Sequence, residues 1–264
     1  IKKIASPFFI DRISSRVTPT KGLNRMKRSI GAGAIILLVS LIIPATAMGQ
    51  KVNQFNSWWY YSGTYTINEK WTSNLLYSWS RHDFIRDWQI SKLGLSANRS
   101  LSKNFGIGVS YEWAIIFPYG ELPIPEKWKE HRILERVFFQ EKIGKVRIRA
   151  VFELEQFFRN RDFLNCSRVL LAMRFPLIVN EKGQESLGMS FFEQIFIRIG
   201  KGPPFLAQNR YYGGFDIRLS NSLNLALGYL NQRIIITPAL IENDHTLMVG
   251  LFHKADISKL FNKQ

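Results

Sequence analysis

Residues 105–117 alternate so regularly that they restrict how the chain can fold. Every odd position in this segment is large and apolar, and the even positions are Gly, Gly, Ser, Glu, Ala and Ile. A period of two puts these two groups of side chains on opposite faces of a β-strand. About 9–11 residues of tilted strand are enough to cross the hydrocarbon core of a bilayer. The segment therefore predicts a transmembrane β-strand with one apolar face.

A leader sequence precedes the alternating region. Met26-Lys27-Arg28 is followed by an apolar stretch over residues 30–43, and Ala47 and Gly49 are small residues at positions −3 and −1 of a cleavage site. This arrangement is typical of a secretory signal peptide that is cleaved before Gln50. The apolar stretch is shorter than the roughly 20 residues of a membrane-spanning helix. An uncleaved N-terminal anchor is the alternative.

The chain divides into three parts on this interpretation. Residues 1–25 are taken as an upstream, non-structural extension, although their Arg- and Ser-rich character also fits an organellar transit peptide. Residues 26–49 are the signal peptide, and residues 50–264 are the predicted barrel. This last part keeps 28 basic and 19 acidic residues, a net charge of +9. The charges are dispersed and no nucleic-acid-binding motif is present, so no nucleic-acid partner is expected.

The alternation recurs over residues 55–257 in eleven candidate strands. Barrels of the bacterial outer membrane have an even number of antiparallel strands. We therefore expect an all-β fold, an antiparallel transmembrane β-barrel of about twelve strands, with ten as the alternative. The additional strand would lie near residues 50–55, unless the N-terminal segment threads the lumen instead. A change of parity within the third candidate strand predicts a β-bulge near Ser91-Lys92.

Short turns and long loops alternate along the chain. Bacterial barrels place short turns in the periplasm and long loops outside the cell. The predicted periplasmic turns are 68–70, 102–104, 143–145 and 220–222, and the predicted extracellular loops are 82–87, 118–130, 159–165, 200–210 and 236–245. The loop 118–130 contains three prolines beside Trp128. We expect it to fold over the barrel mouth or to bind an extracellular partner, with an ordinary solvated connection as the alternative.

A soluble periplasmic β-barrel, such as a lipocalin-like binding protein, would also show alternating strands. Such a protein places its apolar face inward and its polar face in water. Here the residues opposite the apolar face are mostly small or charged, which favours a polar lumen. Tryptophans near several strand ends also fit the aromatic girdles of membrane barrels. The membrane barrel is therefore favoured, and the soluble binding protein is kept as an alternative.

Charged and amide side chains on the predicted inward faces form the candidate lumen lining. They are Glu112, Arg147, Arg149, Glu153, Glu155, Arg168, Arg174, Gln194, Arg198, Asp216 and Arg218. One interpretation is a conduit whose charges select solutes. The other is a salt-bridge plug that fills a narrow lumen. The plug or a mostly closed pore is favoured, so the expected function is structural or that of a narrow pore.

Three histidines are predicted near the outer rim, namely His82, His131 and His245, and each has an acidic neighbour in the sequence. A histidine beside a carboxylate can act as a general base. An outer-membrane lipid-modifying hydrolase that uses a rim histidine is therefore an alternative function. No catalytic motif or metal-ligand spacing accompanies these residues, and the single Cys166 offers no metal cluster. No catalytic residue, metal or cofactor is therefore predicted.

Four segments of the chain match the pattern of one family. They are the Trp- and Tyr-rich residues 56–61, the pair Lys70-Trp71, residues 101–105 ahead of the alternating strand, and residues 131–136. Through these segments the chain resembles the DUF2490 group of outer-membrane proteins common in Bacteroidetes, over residues 50 to 257. The resemblance implies location in the outer membrane and carries over no activity or site residue. The expected partners are outer-membrane lipid and the insertion machinery, the latter through residues 247–252.

Overall fold

Eleven β-strands close into a barrel in the computed structural model, which describes residues 50–118, 126–159, 162–181, 183–200, 202–237 and 240–261. The strands are β1 (Gln50–Thr66), β2 (Trp71–His82), β3 (Asp87–Ser100), β4 (Phe105–Ile116), β5 (Trp128–Ile143), β6 (Val146–Arg159), β7 (Asp162–Val179), β8 (Glu185–Gly200), β9 (Gly202–Arg218), β10 (Leu223–Thr237) and β11 (Leu240–Asp256). A short helix, α1 (Ser258–Phe261), follows β11. Within the described residues no helix has the length and apolar character of a membrane span. The predicted leader and most of the loop 118–130 lie outside these residues.

The barrel closes through a parallel pair of strands. Each strand pairs antiparallel with the next along the chain, and β1 then pairs parallel with β11, from Gln50 opposite Leu240 to Thr66 opposite Asp256. The all-β barrel is confirmed, whereas the expected twelve or ten strands are wrong. An odd number of meandering strands leaves the first and last pointing the same way, and parallel pairing still satisfies their backbone groups. Residues 50–55 begin β1 and form neither a separate strand nor a segment inside the lumen.

Three predicted loops are mostly strand. The segments 159–165, 200–210 and 236–245 belong largely to β6 through β11, whose connections shrink to 160–161, 201 and 238–239. The prediction failed because these segments contain prolines, glycines or runs of polar residues, which are typical of loops, although their backbone pairing continues. The short turns predicted at the other end of the barrel are present. We call that end, which carries the connections 67–70, 101–104, 144–145, 180–184 and 219–222, the turn end.

The β-bulge lies earlier in β3 than predicted. Ser80 pairs with Ile90 and the next residue of β2, Arg81, pairs with Trp88, so Gln89 is the extra residue. The predicted bulge in this strand is therefore confirmed, two residues before the predicted position near Ser91-Lys92. The alternation of inward and outward side chains must already have shifted before Lys92, because the Lys92 side chain points into the barrel towards Glu112 on β4.

The barrel carries apolar side chains outside and polar side chains inside. On β3, Leu93 and Leu95 are 45% and 59% exposed, whereas Glu112 on β4 and Glu153 on β6 are 6% and 3% exposed. Exposed and buried residues also alternate along much of β4, and half-buried and buried residues alternate over residues 244–253 of β11. The core is therefore the barrel interior, and hydroxyl, amide and charged side chains make up much of it.

Candidate functional site: the charged barrel interior

Glu153 of β6 is the centre of the interior ion-pair network. Its Oε2 atom lies 3.0 Å from Nε of Arg136 on β5, and its Oε1 atom forms an ion pair with Arg168 on β7. The strand register produces this arrangement, because Glu153 stands directly opposite Arg136 on one side and Arg168 on the other. Arg136 also donates to the hydroxyl of Ser110 on β4. One buried carboxylate thus connects four adjacent strands.

Two further groups of ion pairs lie on β3 to β6. Lys92 Nζ is 3.0 Å from Glu112 Oε2. Arg132 lies between two carboxylates, with Nη2 2.7 Å from Glu130 Oε2 and Nη1 3.4 Å from Glu155 Oε1. A buried charge is tolerated when it is paired in this way. Lys92 and Arg132 are therefore each matched by a carboxylate on the same or the neighbouring strand.

A second cluster lies nearer the turn end and connects β6 to β9. Arg174 Nε is 2.9 Å from Glu185 Oε1 and 3.6 Å from Asp216 Oδ2. Arg147 Nη2 lies 3.2 Å from the other oxygen of Glu185, and the Ser190 hydroxyl donates to Asp216. The cluster ties together the strands on either side of the 180–184 turn.

Aromatic and apolar side chains fill the part of the interior next to β8–β11. The buried members are Tyr212, Leu230 and Met248, and Trp58, Tyr60 and Phe192 pack against them. The rings of Phe192 and Tyr212 stack with their centroids 4.8 Å apart. The ring of Tyr60 occupies the space that a side chain at Gly250 would need. This aromatic cluster narrows the lumen from one side.

A cavity of about 280 Å³ lies between the aromatic cluster and the Glu153 network. Its charged lining residues are Lys92, Glu112, Arg136, Arg149, Glu153 and Arg168. Neutral amides extend the lining towards the turn end, where Asn98 Nδ2 donates to Asn74 Oδ1 over 2.7 Å. A polar cavity of this size can hold ordered water or a small polar solute.

The predicted lumen-lining residues fall into two groups by position. Nine take part in the interior clusters, line the cavity or are buried beside it, namely Glu112, Arg147, Arg149, Glu153, Glu155, Arg168, Arg174, Gln194 and Asp216. Arg198 and Arg218 lie near strand ends instead. The Arg198 guanidinium lies 5.2 Å from the ring centroid of Phe205, and Arg218 donates to the Ser220 carbonyl in the turn after β9.

The three candidate histidines lie on β2, β5 and β11, no two of which are neighbours in the barrel. His131 Nδ1 is 2.5 Å from the Tyr111 hydroxyl, and His245 Nδ1 is 2.6 Å from the Tyr229 hydroxyl, both at exposed positions. His82 is buried at the end of β2. Adjacent residues of a strand face opposite sides, so Glu130 pairs with Arg132 inside while His131 points outward. Among the described residues no cluster of three or more His, Cys, Asp or Glu side chains could hold a metal.

Several interior charges escaped sequence reasoning. Lys92 was missed because the bulge was predicted too late in β3. Arg210 was missed because residues 200–210 were assigned to a loop, and Glu185 because its segment was not assigned to a strand. Arg132 and Arg136 lie on β5, where alternation of apolar residues is poor. The signal for these two was the even-numbered run of Glu130, Arg132, Leu134, Arg136 and Phe138, all of which face inward.

Comparison with known proteins identifies the family. No curated protein matches the chain. The sequence profile of DUF2490, described as a protein of unknown function, matches residues 55–237, which is 183 of the 264 residues. The matched region begins in β1 and ends with β10, so it covers most of the barrel. The chain belongs to the DUF2490 family.

Proposed function

We propose that this protein is an outer-membrane β-barrel with a structural or narrow-pore role and a largely filled, charged lumen. One observation carries the proposal, namely that the barrel buries its charges and exposes its apolar side chains. Exposed leucines such as Leu93 stand on the outside while Glu153 is almost fully buried. In water this arrangement would leave the apolar outer face exposed to solvent. In a bilayer the same face contacts lipid, and the polar side chains remain inside the barrel.

The height of the outer apolar surface supports the same proposal. Two outward Trp residues are each stacked by an arginine, Arg81 over Trp88 at 4.1 Å and Arg99 over Trp71 at 5.6 Å. Trp88 and Arg99 lie near opposite ends of β3. Because β3 is bulged at Gln89, the distance is better counted on β2, where ten residue steps separate their partners Arg81 and Trp71 and rise about 33 Å. At a tilt of about 40° this becomes about 25 Å of height, equal to the apolar band of about 25 Å on membrane barrels.

The filled interior supports a structural or narrow-pore role. Barrels of about eight strands are filled by side chains, whereas 16- to 18-stranded porins leave an aqueous channel. Eleven strands lie between these limits, and here the aromatic cluster and the ion pairs occupy much of the cross-section. We expect slow or negligible solute passage in the resting protein.

Orientation and processing complete the proposal. We place the turn end in the periplasm, and the opposite end, which carries the longest connection (117–127), outside the cell, because bacterial barrels keep their longer loops there. Residues 26–49 act as a signal peptide that is removed before Gln50. Outer-membrane lipid contacts the apolar outer surface, and the insertion machinery binds β11.

Fractionation of cells that express the chain tests the proposal. We expect residues 50–264 in the outer-membrane fraction, resistant to alkaline extraction, with Gln50 at the mature N-terminus. The folded barrel should also migrate differently on a gel before and after heating. A soluble periplasmic protein serves as the control for fractionation. Recovery of the chain with that control would overturn the membrane proposal.

A further inference from the structure

We propose that the lumen cavity is a binding site for a small oxyanion, either phosphate or a short carboxylate. The inference rests on the proposed function, because the site exists only in the folded barrel. Four cations line the cavity, Lys92, Arg136, Arg149 and Arg168, against two carboxylates, Glu112 and Glu153. The lining therefore carries a formal charge of 4 − 2 = +2. A net positive charge in a buried polar cavity favours a negatively charged occupant.

Both carboxylates of the cavity are already engaged. Glu112 is paired with Lys92, and Glu153 is shared between Arg136 and Arg168. One carboxylate facing two guanidinium groups neutralises only part of their charge. An anion in the cavity would share these cations with Glu112 and Glu153.

In two neighbouring clusters of the interior, carboxylates at least equal in number the cations with which they form ion pairs. The single cation Arg132 lies between Glu130 and Glu155. In the turn-end cluster, Arg147 and Arg174 face Glu185 and Asp216. In contrast to these two clusters, the cavity lining itself holds more cations than carboxylates. Arg210 lies behind the lining and donates to Oε1 of Gln194, a residue that lines the cavity.

The shape and chemistry of the cavity indicate the class of ligand. Its volume of about 280 Å³ exceeds the roughly 30 Å³ share of one water molecule about ninefold, which is enough for a small hydrated anion. Guanidinium groups present paired N–H donors that match the oxygens of carboxylates and phosphates. Ser110, Asn74 and Asn98 supply neutral polar groups in the same lining. The Asn74 end of the cavity points towards the turn end, which we assign to the periplasm.

Calorimetric titration of the folded full-length mature chain in detergent tests the site. The probes are inorganic phosphate and succinate at constant ionic strength, with chloride as the control anion. We expect saturable binding of at least one oxyanion. The probe that binds more tightly indicates whether the site prefers phosphate or a carboxylate. Arg149→Gln should weaken binding about tenfold or more, as loss of a charge-assisted hydrogen bond does. Arg147→Gln, a change to the same residue type on the same strand but in the turn-end cluster, should leave affinity within about twofold.

Glu153→Gln provides the opposite test. This substitution removes the competing carboxylate and should tighten oxyanion binding several-fold. Heat-modifiable migration of each variant shows first that the barrel has folded, which separates failure of the site from failure of the barrel. Three results would overturn the site: a folded wild-type protein that binds neither probe, binding of chloride as strong as that of either oxyanion, or equal losses in the Arg147 and Arg149 variants.

Discussion

Replacing Leu93 by arginine places a charge near the centre of the proposed apolar band. Leu93 lies between Tyr77 and Trp113 on the neighbouring strands and is 45% exposed. It stands about midway along β3 between Trp88 and Arg99, the two residues that mark the edges of the band. Leu101 is a matched control, because it is 51% exposed and lies just beyond the strand, in the turn 101–104.

The expected loss in the free energy of unfolding differs between a barrel in a membrane and a barrel in water. On the lipid face of a barrel, arginine costs about 2–4 kcal/mol at the bilayer midplane and about 0–1 kcal/mol near the interface. We therefore expect Leu93→Arg to lower the free energy of unfolding by about 2–4 kcal/mol, and Leu101→Arg by about 1 kcal/mol or less. In water, both exposed substitutions would change it by about 0.5 kcal/mol at most.

Urea unfolding of the protein in lipid bilayers, followed by tryptophan fluorescence, measures this difference. With a slope of about 2 kcal/mol/M, the Leu93→Arg midpoint should fall by about 1–2 M relative to wild type. The Leu101→Arg midpoint should fall by less than about 0.5 M. Equal midpoints for the two variants would refute the placement of Leu93 in the bilayer.

Four further predictions concern the interior and the rim. Glu153→Gln should lower the free energy of unfolding by about 3–5 kcal/mol, because it leaves two buried arginines without their carboxylate, and phosphate should restore part of the loss in the same urea titration. Tyr212→Ala should raise single-channel conductance in planar bilayers, and unchanged conductance would show that the aromatic cluster does not narrow the lumen. Gly250→Ala should cost about 1–3 kcal/mol by overpacking against Tyr60, while Gly200→Ala should cost far less, because no described residue other than its chain neighbours comes within 4 Å of the added carbon. An epitope inserted at Glu126 should bind antibody on intact cells, and binding only after permeabilisation would reverse the proposed orientation.

Much of the barrel could be predicted because apolar residues mark the outer face. On β4 the odd positions from Phe105 to Ile115 show this face in the sequence alone, and the charges of β6 alternate with it as clearly. The first half of β9 could not be predicted, since Gly202, Pro203 and Pro204 are residues typical of a loop. Arg210 was lost from the predicted interior for that reason.

The number of strands could not be predicted, because it depends on how the first and last strands pair with each other. A strand's own sequence indicates which side faces the lumen, but it does not show whether its closing partner runs parallel or antiparallel. β1 and β11 pair along their whole lengths in a parallel register, and an even number was expected only by analogy with other barrels. Lys92 and Glu112 similarly pair only after the bulge at Gln89 has set the parity of β3.

The parallel closure also determines how the gene for this barrel could be rearranged. In a barrel closed by antiparallel strands, the two chain ends meet at one rim and a few residues can join them. Here the start of β1 and the end of β11 lie at opposite rims, separated by seventeen register pairs and thus by about 53 Å along the strands. A linker of at least about 15 extended residues would be needed, and in the proposed membrane it would have to cross either the bilayer or the lumen. Circular permutation with a linker of only a few residues is therefore excluded for this barrel.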